Sequence, residues 1–182
     1  MKILLVDNGS SYIGQLAALC RKFGKVRISF MGQLENSSAD LLVLSGGHQY
    51  AVVPHPAEFT SELALIRNFD GPIIGICLGF ELLAYADGGE LVRLDRTVHG
   101  VRQIHVVKPD PIFANHQQFQ VSEAHRWAVK SVRQFEVLAT SPTGVEVVRH
   151  PARPIYGFQF HPEQVAGGAD GRRLFERAGT RL

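Results

Sequence analysis

The chain holds only two cysteines, Cys20 and Cys77, among its 182 residues. At most one disulfide can form, so stapling by a disulfide framework is excluded. Long apolar runs are missing as well; none approaches the ~20 residues a membrane helix needs. Met1-Lys2 leads directly into Ile3-Leu4-Leu5-Val6, without the layout of a secretory signal. A cytoplasmic setting with reduced thiols is therefore expected, with no membrane contact. Charge is sparse and balanced: charged residues make up 20%, the net charge is +2, and no block of like charges occurs. A pI near 8.7 alone gives no grounds for a nucleic-acid partner. There is no G-x-x-x-x-G-K-[ST] loop, hence no sign of ATP binding by the chain itself. Besides His161, seven histidines (His48, His55, His99, His105, His116, His125 and His150) show no HExxH spacing and no compact ligand cluster. No metal or other cofactor is expected.

What is present is an ordinary apolar content of 45% in a chain of single-domain length. Strand signals fall at Lys2–Val6, Val26–Phe30, Leu41–Leu44 and Ile73–Ile76, with helical patterns near Tyr12–Phe23, Ala57–Phe69 and Phe80–Ala86. This alternation predicts an α/β fold: an open, mostly parallel sheet with helices on both faces. From Glu90 the pattern turns strand-rich, over Glu90–Leu94, Gly100–Val107, Phe119–Ser122 and Phe135–Ala139. Ser141-Pro142-Thr143-Gly144 then reads as a hairpin turn into Val145–Arg149. Ile155–Phe160 reads as a further strand and Asp170–Ala178 as a closing helix. The whole chain is expected to form one domain with a small antiparallel part.

Cys77 stands at a strand-to-helix corner, in Gly75-Ile76-Cys77-Leu78-Gly79. This G-x-C-x-G pattern parallels the nucleophile elbow, in which a sharp turn lifts the nucleophile above the sheet. Free N–H groups at the start of the following helix would favour a thiolate and face an oxyanion. The alternative is a buried core cysteine, which is also how Cys20 reads. Near the end of the chain comes "PIYGFQFHPEQ". If the strand continues through it, His161 and Glu163 point to one side, the carboxylate orienting the imidazole. Ligands of open parallel sheets collect at the carboxyl ends of strands. Ser45-Gly46-Gly47, Cys77 and His161-Pro162-Glu163 would converge there.

These residues resemble the class I (triad-type) glutamine amidotransferases, which have a flavodoxin-like fold. "GICLGFELLAYADGG" is similar to their nucleophile motif and "GFQFHPE" to their His-x-Glu motif. "LLVLSGGH" is similar to their oxyanion loop and "VSEAHRWAV" to a segment that helps hold glutamine. The resemblance implies Cys77 as nucleophile, His161 as general base and acid, and Glu163 as orienter. It implies oxyanion donors at Gly47 and Leu78, and Gly46, Glu81, Ala124, Arg126 and Trp127 around glutamine. Glutamine would be hydrolysed to glutamate and ammonia through a cysteine thioester. Because the chain ends at Leu182, soon after Glu163, the ammonia is expected to reach a separate synthase partner. That partner would be an ATP pyrophosphatase type or a chorismate-using enzyme. "MKILLVDNGSSY", "VLSGG" and "RPIYGFQFHPE" look closest to the glutaminase subunits of two-chain GMP synthases.

Two stretches depart from the family pattern. Glu81 and Phe80 replace the usual Gln and the usual His or Met, and His48-Gln49-Tyr50 follows the glycine loop where that subgroup has proline. Glu81 is expected to pair with the substrate ammonium or with Arg126, or else to turn outward into solvent. Competing assignments are a γ-glutamyl hydrolase on the same fold, the glutaminase subunit of an anthranilate or aminodeoxychorismate synthase, and a non-catalytic regulatory module. A thiol-dependent relative from the flavodoxin-like stress-protein group would share the elbow without needing His161-Pro162-Glu163.

Overall fold

The computed structural model describes residues 1–33, 38–165 and 169–182. Five parallel strands form one half of a nine-stranded sheet: β1 (Lys2–Asp7), β2 (Lys25–Phe30), β3 (Leu41–Leu44), β4 (Ile73–Ile76) and β9 (Ile155–Phe158). Their order, β2-β1-β3-β4-β9, is the doubly wound arrangement. Every residue of β3, β4 and β9 is buried, because helices cover both faces of this half. Alternation within β1 assigns the sides. Ile3 and Leu5 pack with α1 (Ile13–Cys20) and α4 (Asp170–Gly179), while Leu4 and Val6 pack with α2 (Thr60–Asn68) and α3 (Leu78–Ala86).

The strand-rich part continues the same sheet, as β8-β7-β5-β6 beyond β9. It comprises β5 (Glu90–Val106), β6 (Gln118–Ser131), β7 (Glu136–Ser141) and β8 (Gly144–Arg149), all antiparallel to their neighbours. β5 is one long strand where the sequence suggests two. Its register shifts between Arg93 and Val98, and that irregularity is the gap that separated the two signals. β6 is much longer than Phe119–Ser122 and carries the whole "VSEAHRWAV" segment. The expected turn joins β7 to β8, with Ser141 opposite Gly144.

Two helices are shorter than their patterns. Lys22 and Phe23 donate to carbonyls three residues back, so α1 ends in a tighter turn before Gly24. The pattern over Ala57–Phe69 divides into a 3-10 turn, Pro56–Phe59, and α2. Among the described residues no helix is long and apolar enough to cross a membrane.

Candidate active site

Cys77 follows β4 directly and caps α3 at φ 49° and ψ −107°. A side chain at positive φ is strained by roughly 1–3 kcal/mol, and such strain persists only where the surroundings enforce it. They do so here. A Cβ on Gly75 would lie 2.7 Å from the carbonyl oxygen of Gly79, and one on Gly79 would lie 2.3 Å from that of Leu44. Strand and helix meet too closely for any side chain at either position, so the two glycines set the corner. Leu78 is the first helical residue, and its N–H has no acceptor within the helix.

β9 ends at Phe158, two residues before the apolar pattern does. Gln159 N donates to Glu146 O at 2.9 Å, His161 N to Ser122 O at 2.8 Å, and Gln164 N to His161 O at 3.2 Å. His161 and Glu163 are thus turn residues and not strand residues. They meet all the same: His161 Nδ1 donates to Glu163 Oε1 at 2.8 Å, with both side chains nearly fully buried. That bond puts the proton on Nδ1 and leaves Nε2, which is buried and otherwise unpartnered, as the free base.

Burial pushes the Cys77 thiol up, against the opposing pull of the His161 charge. The thiol is thus raised and not lowered, because desolvation of the thiolate is the largest effect. For His161, burial pulls downward, but the charges of Cys77 and Glu163 and the bond to Glu163 outweigh it and hold the imidazole well above its usual range. Each ionised partner stabilises the other, so the two groups act as a pair sharing one proton. The thiol itself rests on the carbonyl of Ala124, 3.9 Å from Sγ.

The loop after β3 is held from β1. Asn8 N donates to Ser45 Oγ at 2.9 Å and Asn8 Nδ2 to Ser45 O at 3.0 Å, while Ser45 Oγ donates to Gly46 O at 2.7 Å. Gly46 is seated against both Cys77 and His161. Sequence reasoning missed Asn8, although it follows β1 at the same sheet edge as the other three loops.

A cavity of about 360 Å³ opens over Cys77, lined by Gly47, Leu78, Glu81, Ala124, Arg126 and Trp127 among others. Tyr50, Arg93 and Thr97 also line it, none of them anticipated. Arg126 does not reach Glu81. Its guanidinium donates to the carbonyls of Leu94 and Asp95 at 2.9 and 3.0 Å, bracing β6 on β5 where the register shifts. Nor does Glu81 turn outward: it is 4% exposed and accepts from Gln159 Nε2 at 3.3 Å. Burial raises its carboxyl to about 8, against the opposing pull of Gln159 and His161.

The absence of ligand spacing in the sequence hid one cluster. Glu123, His125 and Glu146, all buried, bring one donor atom each within 4.8 Å of one another.

Comparison with known proteins places the chain in a family. The family Glutamine amidotransferase class-I matches residues 4–179. The A-subunit of the glutamine-hydrolysing GMP synthase of Methanocaldococcus jannaschii is 34% identical over 88% of this chain and 87% of its own. Its counterpart from Pyrococcus furiosus is 30% identical over 96% and 97%. A crystal structure from Thermoplasma acidophilum, of a protein described as a candidate for the same GMP synthase component, superposes with a TM-score of 0.88. It is 28% identical, and the match covers 99% of this chain and 92% of that one. The match spans the strands, the elbow and the His-x-Glu turn alike, and on that basis the chain belongs to the class I glutamine amidotransferases.

Proposed function

We propose that the chain hydrolyses glutamine with Cys77 as nucleophile, His161 as base and acid, and Glu163 as orienter. The observation that carries this is the strained Cys77 elbow beside an imidazole whose Nδ1 is bonded to Glu163. Sγ attacks the side-chain amide carbon while Nε2 takes the thiol proton. The C–N bond then breaks, and His161 passes that proton to the departing ammonia. Water, deprotonated by the same imidazole, attacks the thioester and releases glutamate. The N–H groups of Gly47 and Leu78 are the donors for the tetrahedral oxyanion. Arg93, an exposed cation at the cavity, offers a partner for the substrate carboxylate.

Glu81 takes the role of a neutral amide. With its carboxyl raised to about 8, it is protonated at neutral pH and both donates and accepts, as glutamine does. Above that pH it ionises, and its charge opposes formation of the Cys77 thiolate. Turnover should fall as pH rises through about 8. Glu81→Gln should keep kcat/KM within about threefold at pH 7 and move that decline to higher pH, in steady-state pH profiles. Unchanged profiles would remove Glu81 from the site.

We further propose that the ammonia goes to a separate synthase partner, in a single-domain glutaminase working in the cytoplasm. The relatives from M. jannaschii and P. furiosus are named as components of a glutamine-hydrolysing GMP synthase, which favours an ATP pyrophosphatase type partner over a chorismate-using one. The test is glutamine hydrolysis alone and with such a synthetase carrying its activated acceptor. The expected result is slow hydrolysis alone and at least about tenfold stimulation by the complex. Full partner-independent turnover would instead support a γ-glutamyl hydrolase.

A further inference from the structure

The Glu123–His125–Glu146 cluster lies outside the Cys77–His161–Glu163 arrangement, yet it is tied to both ends of it. Glu123 and His125 are two residues apart on β6, so they share a side of the strand. His125 Nδ1 lies 2.7 Å from the Trp127 carbonyl oxygen, which can only accept, so Nδ1 carries a proton. Nε2 lies 3.1 Å from Glu123 Oε2, and a hydrogen bond there requires a second proton between them. On β8, Glu146 Oε1 accepts from Ser141 Oγ at 2.7 Å. The remaining oxygens, Glu123 Oε1 and Glu146 Oε2, are buried and have no partner in the described structure. Two buried carboxylates this close cannot both stay ionised cheaply, so protonation of one of them is the economical solution. Burial and then the charge of Glu123 raise Glu146 to about 8, against the Ser141 and Thr143 hydroxyls, in keeping with that.

The backbone of these residues reaches the reacting groups. β6 presents Ser122 O to His161 N at 2.8 Å and Ala124 O to Cys77 Sγ at 3.9 Å. It also supplies Ala124 to Trp127 to the cavity wall. Glu146 O accepts from Gln159 N at 2.9 Å, two residues before His161. The cluster therefore ties the pocket wall to the segment that carries the imidazole.

We propose that Glu123, His125 and Glu146 form a buried polar network that positions the Ala124–Trp127 wall against Cys77 and His161, and so sets the affinity for glutamine. This rests on the glutaminase assignment above. The test measures KM and kcat for glutamine together with alkylation of Cys77 by iodoacetamide, a probe too small to need the wall. Glu146→Ala should raise KM at least about tenfold, with kcat and the alkylation rate within about threefold. Glu146→Gln, which keeps a neutral hydrogen-bonding group, should restore KM to within about threefold. Glu123→Ala, which removes the partner of His125, should raise KM as Glu146→Ala does and stands in for it should that variant not fold. The inference is overturned if Glu146→Ala leaves KM unchanged, or if Glu146→Gln is as impaired as Glu146→Ala. It is also overturned if KM, kcat and alkylation all fail together, or if the purified protein retains one equivalent of a divalent metal. Should the wild-type chain not hydrolyse glutamine, the parent assignment falls instead. The network is then judged by amide hydrogen exchange of residues 124–127, which Glu146→Ala should accelerate at least about tenfold and Glu146→Gln should not. Unchanged exchange in Glu146→Ala would overturn it.

Discussion

Cys77→Ala is expected to hydrolyse glutamine at least ~10⁴-fold more slowly than the parent chain, with its fold intact. The proposed nucleophile has no substitute within the described structure. Cys20, the other thiol, is fully buried in α1, and burial drives it up to about 12. The fold should survive because alanine keeps the Cβ at φ 49° and removes only one atom, and the corner is set by Gly75 and Gly79. Initial rates of glutamate formation and a thermal melt decide the matter. Residual activity within tenfold of wild type would mean that Cys77 is not the nucleophile.

Gly46→Ala is expected to lose about a hundredfold or more in kcat. A Cβ at this position would lie 2.8 Å from His161 Cε1, 3.6 Å from Nδ1 and 3.4 Å from Cys77 Cβ. The imidazole cannot retreat without lengthening its 2.8 Å bond to Glu163. The loop cannot retreat without straining the Asn8–Ser45 bonds. Either response disturbs the nucleophile–base geometry, and overpacking of this kind costs about 1–3 kcal/mol of stability. Steady-state kinetics with urea denaturation would measure both effects. An unimpaired kcat would show that the contact between Gly46 and the imidazole carries no catalytic constraint.

The parts of the fold that the sequence makes legible are those where one physical signal acts alone. Leu41–Leu44 and Ile73–Ile76 read as buried strands because parallel strands covered on both faces need continuous apolar runs. The Cys77 corner is legible because close approach of strand to helix admits only glycine at positions 75 and 79. β6 fades from view after Ser122 for the opposite reason. Glu123 and His125 are buried at the positions where alternation calls for apolar side chains, and they bond to each other, with His125 also bonded to the Trp127 carbonyl. Arg126 reads as a cavity cation, but its guanidinium is taken up by β5 carbonyls at a register shift that no local pattern announces. His161 and Glu163 do meet, through a turn instead of a strand, because the chain leaves β9 to bond β8 and then β6. Asn8 shows what topology adds: only the position of β1 beside β3 makes it a support for Gly46.

On the proposed function, Cys77 is the single reactive thiol, paired with His161 in the cavity that takes glutamine. The most direct measurement is labelling with a diazo-ketone analogue of glutamine, followed by intact-protein mass spectrometry and peptide mapping. One adduct per chain is expected, on Cys77, with glutamine slowing its formation and His161→Ala slowing it at least ~10²-fold. An adduct on Cys20, or labelling of Cys77 that neither glutamine nor loss of His161 affects, would contradict the account.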